Sequence, residues 1–146
     1  MVIGLLALTS AAIFTGAALY VNVAEQPARL SIDDRALLTE WKPSYKRGAA
    51  MQAPLALVGF LLAVLAWWQT SAAGFLIGGI AIIAAWPWTL IGIKPTNDAL
   101  LATEPDKAGP QVRALVVKWG GLHAVRTGLG AFATIACLYA CLSRTP

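Results

Sequence analysis

Trp119, His123 and Arg126 are the side chains whose types and spacing could do chemistry. On a helix they fall at i, i+4 and i+7, so they share one face. His123 is the only histidine in the chain, and it stands near the start of the last long apolar run. Histidine titrates closest to neutrality of the side chains, and arginine carries a fixed positive charge. The histidine therefore suits acid–base chemistry beside a fixed charge. An ionisable group inside a bilayer needs a partner or water. This face cannot look at lipid, and other segments must bring polar groups to meet it.

Those segments read as membrane spans. The chain is 58% hydrophobic and 12% charged, against about 25% charged in soluble domains. No charge occurs between Met1 and Ala24, between Gly48 and Ile93, or between Thr127 and Ser143. The composition predicts an all-α integral membrane protein, a four-helix bundle in one domain over residues 1–146. The spans are expected at about 2–23, 48–70, 74–93 and 120–142. The first covers about 33 Å at the helical rise. It reads as a permanent helix rather than a cleaved leader, because no Lys or Arg precedes it and it exceeds a typical leader core. Gly74-Phe-Leu-Ile-Gly78 has the GxxxG spacing that lets helices approach closely. Pro87 is expected to bend or end the third span early.

Two polar segments join the spans, Ala24 to Arg47 and Lys94 to Lys118. Both are expected to contain short helices. In the first, Ser31-Ile-Asp-Asp34 opens a short helix through Trp41, and the chain returns to the membrane surface over Trp41 to Tyr45. The two segments hold nine of the eleven basic residues. Positive-inside bias puts both in the cytoplasm and both termini outside, with Arg144 near the outer end. Tyr20, Trp41, Tyr45, Trp86, Trp88 and Trp119 mark the inner interface in this reading, and Trp67, Trp68 and Tyr139 the outer. Asp34 to Glu40 echoes Asp98 to Glu104, a short match that duplication or chance explains.

The net charge of +4 comes with no basic stripe or recognition motif, so nucleic acid is not an expected partner. Cys137 and Cys141 lie four apart on the last span, poorly placed for a disulfide and too few for a thiolate metal site. One histidine does not make the two-histidine sites common for zinc or non-haem iron. There is no phosphate loop, nucleophile elbow or redox cysteine pair. Acid–base chemistry without a bound cofactor or metal remains.

At the inner ends of the spans, polar groups from separate stretches converge. The first span offers Asn22 and Glu25, and the second Tyr45 and Gln52. The third runs out into Lys94-Pro95-Thr96-Asn97-Asp98, and the fourth adds Trp119, His123 and Arg126. A mostly apolar cavity with a few convergent polar groups is how small-molecule sites are built. Each residue also has a plain structural role open to it. His123 could be satisfied by a carbonyl, and Arg126 could snorkel to the interface. Glu25 could neutralise Arg126 or Arg29, and Thr96 or Asn97 could cap a helix. The tryptophans are read first as interface anchors.

Asn-x-x-Glu-x-Pro at 22–27, Trp41 with Tyr45, Pro-Thr-Asn-x-x-Leu at 95–100 and Trp-x-x-x-His-x-x-Arg at 119–126 together resemble the anthrone oxygenase-like family. These are small four-helix membrane proteins, many of them bacterial, which implies a bacterial inner membrane. The resemblance implies oxidation of an electron-rich aromatic, anthrone- or quinol-like, by O2 without metal or flavin. It would make His123 the base, Arg126 the group that stabilises the anion, and Glu25 the residue that sets their protonation or orientation. Asn22, Tyr45, Asn97, Trp119 and Trp41 would bind and orient the ring. The partners it implies are membrane lipid and an apolar aromatic small molecule. The alternative is a non-catalytic membrane subunit, or a lipid- or quinone-binding protein, associated with copies of itself or with a larger complex.

Overall fold

The structure is a computed structural model that describes residues 2–143; Arg144, expected near the outer end, lies outside the described residues. Four helices are long and apolar enough to cross a membrane: α1 (Val2–Leu30), α2 (Asp34–Thr70), α3 (Ala73–Ala102) and α4 (Pro110–Leu142). No strand occurs among the described residues. The helices form a square, with α1 and α3 each packed on both α2 and α4 and only slight contact across the diagonals. Short connections at alternating ends make neighbours antiparallel. Both polar segments therefore lie at one end of the bundle, called the polar end below.

The helices run past the spans read from the sequence. The chain does not turn at Trp41 to Tyr45. Instead α2 is continuous for 37 residues, about 55 Å, and carries Pro43 and Pro54 in its interior. Each proline leaves the carbonyl four residues earlier without its usual donor. Those carbonyls belong to Thr39 and Ala50, on the exposed face of the helix like the prolines themselves, so the core side of the ladder is undisturbed. The expected start is observed, with Asp33 Oδ1 accepting from the Ala36 N–H at 2.9 Å. At the other end Ser71 takes a left-handed conformation (φ 56°) and its N–H closes on the Trp67 carbonyl, a usual helix stop.

α1 and α3 are each interrupted. α3 breaks at Ala84, where the missing N–H of Pro87 deprives the Ile83 carbonyl of a donor. Further on, both helices widen into single π turns, Val21–Glu25 in α1 and Thr89–Ile93 in α3. Each is followed two residues later by a proline, Pro27 and Pro95. In both, the N–H of the residue before that proline reaches back five positions, Gln26 to the Val21 carbonyl and Lys94 to that of Thr89. Single π turns of this kind occur often at functional sites.

The GxxxG pair lies against α4. A Cβ on Gly74 would come within 2.9 Å of the Ala136 carbonyl, and one on Gly78 within 2.7 Å of Cys137 Sγ. Cys137 and Cys141 are free and buried there, as small packing residues. Basic side chains close the helix ends. Arg113 donates to the Leu30 and Ile32 carbonyls and pairs with Asp34 at 2.6 Å. Lys42 donates to the carbonyls of Leu101 and Thr103 where α3 ends.

The core at the polar end is aromatic. Trp41 and Trp119 are buried there with Leu37, Leu38, Ile93, Leu100 and Val116. That corrects their reading as interface anchors, because neither indole reaches the surface. Tyr20, Trp68, Phe132 and Tyr139 are the aromatic side chains more than half exposed among the described residues.

Candidate functional site

Between the four helices, at the depth of the two π turns, lies a cavity of about 460 Å³. The first and last residues of each π turn line it, Val21 and Glu25 from α1 and Thr89 and Ile93 from α3. α4 contributes Trp119, His123 and Arg126 on one face, as their spacing predicts, and all three are buried. From α2 come Tyr45 and Gln52, and from the polar end of α3 comes Asn97. The exposed members of the lining are Tyr20, Arg47 and Met51. They stand on α1 and α2, so the cavity opens along the seam between these helices.

Asn22 fixes the tautomer of His123. Its Nδ2 donates to the Gly120 carbonyl at 2.9 Å, an atom that can only accept, so its Oδ1 faces α4. Oδ1 accepts from Thr127 Oγ1 at 2.8 Å and lies 2.9 Å from His123 Nδ1. In the neutral ring Nδ1 therefore carries the proton and Nε2 carries the lone pair. Nε2 has no hydrogen-bond partner among the described residues, and the imidazole lines the cavity. The ring stacks on Trp119 at 5.0 Å between centroids.

A second chain of directed bonds crosses the cavity wall. An indole N–H can only donate, and Trp119 Nε1 gives its proton to Asn97 Oδ1 at 2.8 Å. That orients the amide so that Nδ2 donates to Tyr45 Oη at 3.3 Å. Tyr45 is held from behind by Trp41, whose ring lies parallel to it at 4.9 Å and edge-on to Trp119 at 5.7 Å. Trp41 thus supports the site from outside the cavity, and its buried Nε1 has no hydrogen-bond partner among the described residues.

Arg126 points inward and does not snorkel. Its Nη2 donates to Gln52 Oε1 at 2.9 Å and its Nη1 to Thr89 Oγ1 at 3.3 Å. The guanidinium stands 5.7 Å from the Phe14 ring, and its Nε is buried without a hydrogen-bond partner among the described residues. Among the described residues no carboxylate pairs with it. It is a cation inside an apolar bundle, held by neutral dipoles.

Glu25 lines the same cavity but does not join His123 or Arg126. It pairs with Arg29 at 2.7 Å and accepts from Ser44. Arg29, 2% exposed, also takes Glu40 at 2.8 Å and donates to Ser44. This paired cluster ties α1 to α2 on the polar side of the cavity. Of the residues singled out in the sequence, His123, Trp119, Asn97 and Tyr45 form one connected wall with Asn22 and Trp41 behind it, and Arg126 forms another with Gln52. Thr89, Thr127 and Ser44 are site residues the sequence reading missed. Thr89 had one usable signal, as the only hydroxyl in its span.

Fold and site together define a small integral membrane helix bundle with a mostly apolar cavity, carrying a few polar side chains, at one end. The family model for anthrone oxygenase matches residues 41–136, and the chain belongs to that family. The match contains Trp41, Tyr45, Asn97, Trp119, His123 and Arg126; Asn22 and Glu25 precede it. No curated protein and no solved structure matches the chain.

Proposed function

We propose that the cavity binds an electron-rich aromatic ketone or quinol of the anthrone type and promotes its oxidation by O2. One observation carries this reading: an imidazole with a free lone pair and a buried guanidinium without a counter-ion line the same apolar cavity. His123 Nε2 takes the acidic ring C–H or phenolic proton. The charge left on the ring and its oxygen is steadied by Arg126, whose fixed positive charge acts most strongly in a dry site. The anion itself reduces O2, so the step asks for no bound cofactor. Asn22 holds the imidazole in the tautomer that presents Nε2, and Glu25 serves by anchoring Arg29 and the α1–α2 seam.

The polar end is assigned to the cytoplasmic face of a bacterial inner membrane, on the bias of Lys and Arg toward it. The ligand passes from the bilayer through the α1–α2 seam. Family membership and the uncompensated charge favour the catalytic reading over that of a subunit with a merely structural core.

The test supplies a dihydroxyanthrone to protein purified in mild detergent. O2 consumption and quinone absorbance are followed, with spontaneous oxidation subtracted. The parent chain is expected to accelerate quinone formation, and His123→Ala to lose about 10²–10⁴-fold of that acceleration. Full turnover by His123→Ala would sink the base assignment.

A further inference from the structure

The directed bonds at Tyr45 leave one proton unaccounted for. Trp119 Nε1 can only donate, so Asn97 must receive with Oδ1 and give with Nδ2, and Tyr45 Oη is the acceptor at the end of that chain. The hydroxyl already has a donor on its protein side. Its own O–H finds no acceptor among the described residues, while the side chain lines the cavity. Stacking of the Tyr45 ring on Trp41 keeps it from turning away. The wall thus holds a hydroxyl with an uncommitted proton beside the cavity, on a different helix from His123.

We infer that Tyr45 is a catalytic residue, the acid that protonates the oxygen adduct formed during oxidation. This step rests on the anthrone-type reading above. Removal of the first ring proton by His123 leaves a carbanion. The carbanion passes one electron to O2, and the resulting radical pair joins in a new C–O bond, giving a peroxide anion. Tyr45 gives its proton to the terminal peroxide oxygen, and the proton on the His123 imidazolium replaces it. His123, neutral again, takes the remaining C–H proton. The electrons of that bond become the second C=O, the O–O bond breaks, and the departing hydroxide collects the proton as water. One substrate and one O2 yield one quinone and one water. Asn97 and Trp119 are positioning residues, since they act only through the hydroxyl they hold.

A peroxide anion left unprotonated can fall back to carbanion and O2, so the donor commits the adduct. Tyr45→Phe removes the hydroxyl and keeps the ring on Trp41, so the bundle keeps its packing. Its melting curve checks that. The assay measures kcat and KM for a dihydroxyanthrone, binding of the corresponding anthraquinone, and the solvent deuterium isotope effect on kcat. The expected result is a kcat lower by about 10²–10⁴-fold with KM and quinone binding little changed. The isotope effect of the parent chain should rise in Tyr45→Phe, as solvent-borne protonation becomes rate-limiting. Parent-like kcat in Tyr45→Phe overturns the proton-donor role while leaving the base assignment standing. Equal losses in kcat and in quinone binding also overturn it, because Tyr45 would then only shape the pocket. Absence of accelerated oxidation by the parent chain overturns the anthrone-type reading and the Tyr45 step together.

Discussion

At Arg126 a cation sits among helices, held among the described residues by the Gln52 amide, the Thr89 hydroxyl and the Phe14 ring. A buried charge without a counter-ion works against folding, and replacement by apolar groups of similar volume is often stabilising. Arg126→Met alone would leave Gln52 Oε1 without its donor, which costs about 1–3 kcal/mol. The double variant Arg126→Met, Gln52→Leu removes both partners. It is expected to melt above the parent chain in detergent, by an amount equivalent to about 1–4 kcal/mol, while losing turnover. A double variant that melts below the parent would mean that the guanidinium is a structural tie. The Trp119, His123 and Arg126 face was legible in the sequence because it depends on nothing but helical period. Asn22 and Asn97 were legible as candidates but their tasks were not. Each is bonded to α4, and what an amide does there depends on which of its ends meets an obligate donor or acceptor. Glu25 had two readings in the sequence, a residue that sets His123 or Arg126 and a plain counter-ion for Arg126 or Arg29. The structure gives it to Arg29, one helical turn along the same chain.

The element scale accounts for why the site lies where it does. A π turn inserts one extra residue into a helical stretch, and one residue is about 100° of rotation. Beyond Val21–Glu25, α1 therefore presents a different face to its neighbours than an unbroken helix would, and α3 does the same beyond Thr89–Ile93. This angular offset lets Asn22 face α4 while Glu25 and Arg29 face α2. Nothing in the periodicity of the sequence displays it; Pro27 and Pro95 were visible, but a proline announces an interruption without its sense. The stretch Trp41 to Tyr45 misled in the opposite direction, reading as the return to the membrane surface inside what is one helix. The α3–α4 seam was the easier part, because glycines four apart in an apolar run need little context. A methyl at Gly78 would press on Cys137 Sγ and the Ala133 carbonyl, and overpacking of this kind costs about 1–3 kcal/mol. Gly78→Ala is thus expected to lower the melting temperature clearly. Gly128→Ala is the control, since a Cβ there meets nothing within 4 Å, and it should be neutral or gain about 0.5–1 kcal/mol. Equal melting of the two variants would remove the close seam from the account.

For the whole molecule, the count and antiparallel order of the helices followed from where charges are absent. The basic residues at the polar end served in the sequence only as markers of sidedness. In the fold Arg113 and Lys42 also close the ends of α1 and α3, tasks set by carbonyls tens of residues away. The cavity belongs to all four helices and opens where Tyr20 and Met51 stand exposed between α1 and α2. A mouth in that position draws on what is dissolved in the surrounding amphiphile rather than in the buffer. Kinetics should then follow surface dilution. With total substrate fixed, adding empty micelles or lipid should slow turnover, and rates at different detergent loads should fall on one curve when plotted against substrate mole fraction. Rates that track bulk concentration instead would place the working mouth at the water-facing end. If the curve collapses, a Michaelis constant for this protein carries units of mole fraction. The partition coefficient of a compound then decides how well it is used before any contact with His123 is made.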